Sequence, residues 1–454
     1  MPRIPLPTGL IGNEGLPRTR QALTNCFNTG DNTIISRPGI ESLATTGRVA
    51  RGQFVWNEAL YQVVSEDLIQ ITDPATGANT NIGTVLGNAV IDTAIGFNEA
   101  VILVKGGAIY SLDNANALTL ISGNANFVPC DAVAHIDGRF VYIPTSGDPA
   151  FFSDVGDAGT VQPESFFDAE ELPDKNTTVF NLRNTLYIGG TDSFELFRDT
   201  GASPNPFTRL TGARIDFGFI SALVAYADTF YFLGREKDQD FGIYAIGQGR
   251  AEKVSNEAID EILASYLPAG RAAATAERFK WRGYDMLTFT LAADAFGLHN
   301  GNWFLLTSLN QGVVTAWSGG FINQFEGTYY TAFGANIGRL SDVNTDYGAE
   351  IRRTIDLAFE HPDNEFFACQ SLTMGLSQGF NAAVGTVGLA ISRNNVEYGE
   401  FIFRDLGAVG EYTTHLEWNE PGGLGAYDGF MGMRIYTTQD VIFSANALSA
   451  YFRG

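Results

Sequence analysis

The sequence predicts an all-β chain: a six- or seven-bladed β-propeller with one inserted helix, followed by a C-terminal β-sandwich. Short apolar, aromatic strands recur roughly every forty residues through most of the chain, which is a typical propeller period. Fifty-one glycines supply the tight turns that many short strands require. A hydrophobic fraction of 45% is enough to bury a large core, which argues against global disorder.

The repeat first shows in "NEALYQV" from Asn57 and "NEAVILV" from Asn98. Each copy has a polar or Gly-flanked turn, a short apolar strand, and then a second strand such as "DLIQIT", "GAIYSL" or, in the sixth copy, "NWFLLT". The equivalent positions of the seven copies are Leu60, Val101, Phe140, Leu186, Phe230, Met286 and Tyr329. Their spacing of 39 to 56 residues fits blades of four short antiparallel strands. Chance recurrence among the hairpins of a β-sandwich is the alternative.

The longest step contains a clear helical pattern, "VSNEAIDEILASYLPAG", which predicts an inserted helix at about 255–267. Ser255 is the predicted N-cap, and acidic residues crowd the first turns, as the helix dipole favours. Pro268 and Gly270 lie just beyond its end. We expect this helix to pack on the propeller rather than to carry catalytic groups.

The predicted domains are an extended N-terminal arm at 1–50, the propeller at 51–354 and the sandwich at 355–454. The arm is rich in Pro and Gly and could lend one strand that closes the propeller. After about residue 355 the forty-residue period stops, and strands such as "VGLAISR" and "MGMRIYT" alternate with Gly- and Asn-rich turns.

Charge and cysteine content exclude several classes of function. Lys and Arg number 28 against 51 Asp and Glu, a formal net charge of −23, so a DNA-reading protein is disfavoured. Three widely spaced cysteines (Cys26, Cys130 and Cys369) argue against a disulfide scaffold and a zinc site. The sequence shows no signal-peptide core and no apolar run long enough to span a membrane. We therefore expect a protein made in a reducing, aqueous compartment.

No metal or nucleotide motif stands out. The four histidines are far apart and none has metal-ligand spacing with another His or Cys: His135, His299, His361 and His415. No Walker A, G-x-S-x-G or dinucleotide-binding motif is present. We predict no cofactor and no metal.

Two carboxylate clusters are the candidates for chemistry. "DAEELPD" contains Asp168, Glu170, Glu171 and Asp174 and could supply the acid and base of a glycosidase, but adjacent acids are more often solvated. "SDVGDAG" contains Asp154 and Asp157 and resembles a calcium-binding loop in its oxygen ligands and glycine. It lacks the regularly spaced Asp ligands and the late Glu of such loops, so a turn between blade strands is the better explanation. We therefore predict no catalytic residue and no enzyme activity.

A long stretch of the chain resembles the hub or nozzle proteins of short-tailed bacteriophages, also called packaged-DNA stabilisation proteins or tail accessory factors. The ordered segments are "FFDAEELPD", "LYIGGTDSFELFRDTGASPNPFTRL", "GARIDFGFISA" and "IYAIGQGRAEKVSNEAIDEILASY". Near the N-terminus, Asn25, the Arg37-Pro38-Gly39 segment and Arg51-Gly52 fit the family pattern. Near the C-terminus, "LAISRNN", "LGAVGEY" and "LEW" are similar to its sandwich.

This resemblance implies a structural component of a phage tail. The protein would form a homo-oligomeric ring, expected to be a hexamer, below the portal and its connector or adaptor ring. It would continue the DNA channel, retain packaged DNA until ejection, and bind a tail fibre, tailspike or needle protein. DNA would pass through without sequence-specific binding. We expect a location in the virion tail after assembly in the host cytoplasm.

Two other classes of function are consistent with a propeller. One is a carbohydrate-binding or carbohydrate-cleaving propeller, in which tryptophans stack on sugars, and the candidates are Trp56, Trp281, Trp303 and Trp317. The other is a non-viral protein-interaction propeller. A propeller fold by itself cannot distinguish these functions.

Overall fold

The computed structural model describes residues 3–12, 20–169, 174–236, 241–247, 249–360, 365–376, 385–412, 416–421, 427–439 and 441–453. Within these residues the chain forms seven four-stranded antiparallel units, which we number as blades 1 to 7. The first strand of each blade contacts the first strand of the next blade, and blade 7 contacts blade 1. The predicted β-propeller is therefore confirmed, and its ring is closed by seven blades.

Blade 1 consists of the strands Ala50–Trp56, Ala59–Val64, Asp67–Asp73 and Ala78–Thr84, and blade 2 consists of Ile91–Ile95, Glu99–Val104, Ile109–Asp113 and Leu118–Leu120. Blade 3 consists of Cys130–Ile136, Arg139–Pro144, Ala150–Phe152 and Phe166–Phe167, and blade 4 consists of Asn176–Leu182, Thr185–Gly190, Phe194–Asp199 and Phe207–Arg209. Blade 5 consists of the strands Phe217–Tyr226, Thr229–Glu236, Phe241–Gly247 and Arg250–Lys253. Blade 6 consists of Thr275–Trp281, Tyr284–Thr290, Ala295–His299 and Asn302–Asn310. Blade 7 consists of Asn323–Phe325, Thr328–Phe333, Asn336–Ser341 and Gly39–Thr45.

All seven repeat positions predicted from the sequence lie in the second strand of a blade, directly after the hairpin from the first strand. In blades 1, 3, 4, 6 and 7 two residues separate the paired strands and both have positive φ, as in Asn57 and Glu58. Such turns match the twist of the flanking strands. Blade 2 differs, because Ile95 pairs with Ala100 and a longer turn presents Phe97. The two "NEA" phrases therefore occupy different turn positions.

One strand of the predicted repeat was assigned wrongly. "NWFLLT" lies in the fourth strand of blade 6, and the third strand is Ala295–His299. The short connection to the third strand, residues 291–294, reads "LAAD" and has no Gly or Pro to mark a turn.

The inserted helix is shorter than predicted and is followed by a second helix. The described residues contain helices at Glu257–Ser265 and Pro268–Ala272. Asn256 is the N-cap, and its side chain accepts a hydrogen bond from the Ile259 amide at 3.1 Å. Ser255 is therefore not the cap; its hydroxyl accepts from the Ile243 amide in blade 5. Ile259 and Leu263 are buried against blades 5 and 6.

The N-terminal segment closes the propeller. Strand Gly39–Thr45 pairs with Asn336–Ser341 and so becomes the outer strand of blade 7. A short parallel contact joins it to Thr345–Asp346, which pairs in turn with Ala349–Glu350. Blade 7 is thus built from strands that are far apart in sequence, and their pairing prevents the ring from opening between blade 7 and blade 1.

The rest of the segment before residue 39 joins two C-terminal sheets. One sheet extends blade 6 outward through Ala22–Thr24, Arg353–Glu360, Phe430–Thr437, Thr386–Ser392 and Ile402–Asp405, and Val313–Ala316 pairs with the end of blade 6. The other contains Cys26–Asn28, Ile34–Ser36, Ser444–Arg453, Phe366–Leu376 and Leu416–Asn419, with Arg3–Ile4 and Tyr427–Asp428 at its margins.

These two sheets share one buried core, to which Leu357 and Met433 contribute from one sheet and Leu372, Trp418 and Leu448 from the other. Strands from before residue 50 belong to both sheets, so the N-terminal segment packs on its neighbours. The β-sandwich assignment for 355–454 and the predicted domain boundaries stay predictions.

Candidate functional site

Asn25 and Arg37, which fit the family pattern near the N-terminus, are buried together with Ser308 and Asp346. We call these four residues the arm junction. The Arg37 and Asp346 side chains are each only 1% exposed and form a bidentate ion pair, with nitrogen–oxygen distances of 2.9 and 2.6 Å. The Ser308 hydroxyl donates to Asp346 at 2.7 Å. A charge this deeply buried is tolerated only where it is paired and hydrogen-bonded.

Every donor of the Arg37 guanidinium has a partner. Besides the two bonds to Asp346, Nε donates to the Asn25 side-chain oxygen at 2.8 Å, Nη1 to the Pro38 carbonyl and Nη2 to the Thr307 carbonyl. Asn25 also donates to the Arg352 carbonyl at 2.6 Å. The arm junction therefore joins the N-terminal segment to blade 6, to the segment after blade 7 and to the start of the C-terminal sheets.

The glycine of the same segment fits against the chain that leaves blade 7. A Cβ added at Gly39 would lie 2.1 Å from the Val343 carbonyl oxygen and 2.6 Å from that of Thr345. Arg51 and Gly52 play similar roles between blades 1 and 2. Arg51 donates to the Ala89 carbonyl, and a Cβ at Gly52 would lie 2.2 Å from Cγ1 of Ile91. These family residues hold the fold together.

The motif in the middle of the chain also builds blades. "FELFRD" and "FTR" are the third and fourth strands of blade 4. Within it, the buried Glu195 pairs with Arg209 at 2.8 Å, and Gly201 has a φ of +66° in the turn between the strands. The side chain of Phe207 is buried against blade 3. The resemblance therefore rests on residues that fix blade geometry.

The first strands line a central channel with a cavity of about 420 Å³. Phe219, Ile220 and Leu223 line it from blade 5, and the lining residues with charge are Asp92, Lys105, Asp131 and Glu277. A cavity of this size admits water and small solutes but no folded chain or nucleic acid duplex.

Acidic side chains of the channel bond to the next blade. Glu277 on blade 6 accepts from the amides of Phe321 and Ile322, at 2.9 and 3.0 Å, at the entry to blade 7. Burial raises its pKa to about 7, and the two amides oppose that rise. Asp92 on blade 2 accepts from the Val133 amide of blade 3 at 3.0 Å. Burial raises the pKa of Asp92, and Lys105 opposes the rise. Neither residue was singled out from the sequence.

The histidines do not come together. His135 lies half-buried in blade 3, where burial lowers its pKa, and its ring lies 5.0 Å from that of Phe140. His299 is buried in blade 6, with Nδ1 2.9 Å from the Asp285 carbonyl oxygen. His361 and His415 lie outside the described residues. Among the residues that are described, no group of three His, Cys, Asp or Glu could hold a metal ion.

The two predicted carboxylate clusters are used in local structure. Asp174 accepts from the amides of Asp192 and Ser193, at 2.8 and 2.9 Å, and so fixes a loop of blade 4. Asp168 is exposed, and Glu170 and Glu171 lie outside the described residues.

The "SDVGDAG" segment lies in the loop between the third and fourth strands of blade 3. Asp157 accepts from the Gly159 amide at 2.9 Å and from the Thr160 hydroxyl at 2.8 Å. Asp154 accepts from the Gln162 amide group at 2.8 Å. These bonds are those of a turn.

The tryptophans proposed for sugar stacking are mostly inaccessible. Trp56, Trp303 and Trp317 are between 0% and 5% exposed. Trp281 is partly exposed, and the Arg282 guanidinium lies 5.7 Å from its ring centroid. Three of the four rings therefore cannot stack on a ligand.

A family model described as "Bacteriophage P22 Gp10, beta-propeller", of the Phage_stabilise family, matches residues 13–324. The match covers blades 1 to 6 and ends inside blade 7. No curated protein sequence matches the chain. Within the described residues, no helix has both the length and the apolar character needed to cross a membrane.

Three solved structures are similar at low identity. PorZ, a surface component of the type-IX secretion system of Porphyromonas gingivalis, is 14% identical with a TM-score of 0.42, covering 80% of this chain and 46% of that one. The extracellular domain of the putative hybrid two-component system BT4673 from B. thetaiotaomicron is 8% identical with a TM-score of 0.46, covering 77% and 45%. The Neurospora crassa Pan2 WD40 domain is 10% identical with a TM-score of 0.42, covering 67% and 94%. The chain thus spans less than half of the first two.

Proposed function

Because the chain belongs to the Phage_stabilise family of bacteriophage proteins, we propose that it forms a ring in the phage tail, the hub or nozzle below the portal and connector. In this proposal the ring continues the DNA channel, retains packaged DNA until ejection, and provides the platform on which a fibre, tailspike or needle binds. Membership of a structural phage family is the observation that carries the proposal. We infer a non-enzymatic role and a place in the virion tail, after assembly in the host cytoplasm.

The propeller is rigid enough to serve as part of the wall of the proposed ring. Its ring is closed by a strand from the other end of the sequence, and the buried arm junction ties the N-terminal segment to blade 6 and the C-terminal sheets. Breaking a buried, hydrogen-bonded ion pair costs several kcal/mol, about 3–5. A block held in this way can transmit force without opening between its parts.

The DNA channel that we propose runs between copies of the chain. The cavity in the propeller's own channel has a volume of only about 420 Å³. A wider passage therefore requires several copies around an axis, and closed rings are the usual outcome of head-to-tail contacts. We propose six copies.

The charge supports passage without binding. A net charge of −23 disfavours lasting contact with phosphates, and at physiological salt the repulsion acts within about 8–10 Å. The DNA would therefore move through the ring without sequence-specific binding.

A reconstitution experiment tests this proposal. Purified chain is added to DNA-filled heads that carry the portal and connector but no distal tail, and the product is imaged and assayed for DNA leakage. We expect a six-fold collar that stops leakage, and no collar on heads without the connector. Absence of a collar on heads that carry the connector would refute the ring proposal.

A further inference from the structure

Blade 3 carries an apolar cleft of about 600 Å³ at its outer edge. Val128 and Phe166 form parts of its wall and are 46% and 49% exposed. Phe151 lies in its floor, and Pro129 and Pro149 add rigid apolar surface. Large exposed apolar side chains that converge on one concavity are unusual on a soluble surface and indicate a place where another molecule binds.

The cleft exists because blade 3 has the shortest outer strands among the described blades. Its third strand is Ala150–Phe152 and its fourth is Phe166–Phe167. Pro149 precedes the third strand and cannot donate a ladder hydrogen bond, so pairing stops there. On its outward side, Phe166–Phe167 is paired with no other described strand. On that side the Phe166 amide already donates to the Glu164 carbonyl at 2.9 Å. The rim is therefore an apolar wall, along which an extended peptide can place apolar side chains.

The charge around the cleft selects the occupant. Among its lining residues, all of which are described, Asp148 is charged and there is no Lys or Arg. Glu164 is exposed between two lining residues, and Asp168 is exposed just after the fourth strand. An apolar segment with basic residues beside it complements this surface, whereas an acidic segment would be repelled.

We propose that this cleft binds an extended peptide segment of a partner protein, with bulky apolar side chains in the cleft and Lys or Arg beside them. The segment lies across the cleft and places an apolar side chain between Val128 and Phe166. This inference does not rest on the ring proposal, because the cleft lies within one chain.

The test uses the full chain and a short fluorescein-labelled peptide that alternates Lys with Phe or Leu, followed by fluorescence anisotropy at about 0.15 M salt. One matched peptide has Glu in place of Lys, and another has Ser in place of Phe and Leu. We expect binding of the first peptide and at least about tenfold weaker binding of the other two, because both contributions are needed.

Variants separate the cleft from general charge attraction. Phe166→Glu and Val128→Glu make the protein more acidic, so a peptide held by charge alone would bind them more tightly. We expect instead at least about tenfold weaker binding, because the added carboxylate cannot enter an apolar contact. Val155→Glu is the control, since Val155 is 63% exposed in the same blade but does not line the cleft. Phe166→Ser checks the result without a charge change.

Two outcomes would overturn the proposal. One is binding that Val155→Glu and Phe166→Glu change equally, which would show attraction to the acidic surface in general. The other is binding of the apolar dye bis-ANS, lost in Val128→Glu, without binding of any peptide, which would show a small-molecule pocket. Neither outcome bears on whether the chain forms a collar on phage heads.

Discussion

Replacing Glu277 by Gln tests the contact that joins blades 6 and 7. In the wild type, both carboxylate oxygens accept backbone hydrogen bonds, from Phe321 and Ile322. The amide of Gln keeps one acceptor, so one of these N–H groups loses its partner. We expect a pH-independent destabilisation of about 1–3 kcal/mol from that loss.

The pH dependence of stability is the sharper test. Burial raises the pKa of Glu277 from 4.5 in the unfolded chain to about 7 in the folded protein. Between these values the folded protein binds a proton that the unfolded chain does not, so stability falls as the pH rises and levels off above about pH 7. From about pH 5.5 to about pH 8 this amounts to at most about 2 kcal/mol, since part of the side chain faces the channel. Gln has no such dependence.

The assay is thermal unfolding of both proteins across that pH range. The wild type should lose stability relative to Glu277→Gln as the pH rises, by about 2 °C for a chain of this length. Glu252→Gln, at an exposed position in blade 5, should follow the wild type at every pH. Parallel pH profiles for the wild type and Glu277→Gln would refute the assignment of a raised pKa to this residue.

Three further changes test the buried structure. Arg37→Met leaves Asp346 buried without its ion pair and should lower the free energy of unfolding by about 3–5 kcal/mol in chemical denaturation. Arg183→Met, which breaks an exposed ion pair, should leave the free energy of unfolding nearly unchanged. Gly39→Ala places a methyl group against two carbonyl oxygens, so the yield of soluble, protease-resistant protein should fall in expression tests. Gly123→Ala is the control, because a methyl group at Gly123 enters open space and should be tolerated. Equal yields of the two variants would contradict the close approach of Gly39 to the two carbonyl oxygens. The three cysteines are buried and burial raises the pKa of each thiol to about 12, so a thiol reagent at about pH 8 should label them only after unfolding; rapid labelling of the native protein would contradict this burial.

Local patterns made the blades predictable. The turn, the two-residue hairpin and the apolar strand that follows lie within about ten residues, and their chemistry depends on near neighbours only. For this reason Leu60, Phe140 and Leu186 all fell at equivalent positions. The error in blade 6 arose where a connection carried no Gly or Pro signal. The error at the helix N-cap arose because Ser255 and Asn256 are both good caps, and the backbone of blade 5 had already taken the serine hydroxyl.

The functional candidates could not be read in the same way. Glu277 has no motif of its own; its role depends on two amides more than forty residues later. The apolar cleft brings together Val128, which precedes the first strand of blade 3, and Phe166, which lies in its fourth strand. The gap between them exists because the outer strands of blade 3 are short. A sequence pattern records which residues are apolar, and it does not record which of them stay exposed.

By itself the sequence determined the repeat, the all-β character, the inserted helical segment and the family, because each depends on residue types at short, regular spacings. The tertiary structure decided the rest. It paired Gly39–Thr45 with Asn336–Ser341, buried Arg37 against Asp346, and divided the segment before residue 50 between the propeller and two further sheets. These contacts join residues about three hundred positions apart, and they form only because ring closure brings the two ends of the propeller together.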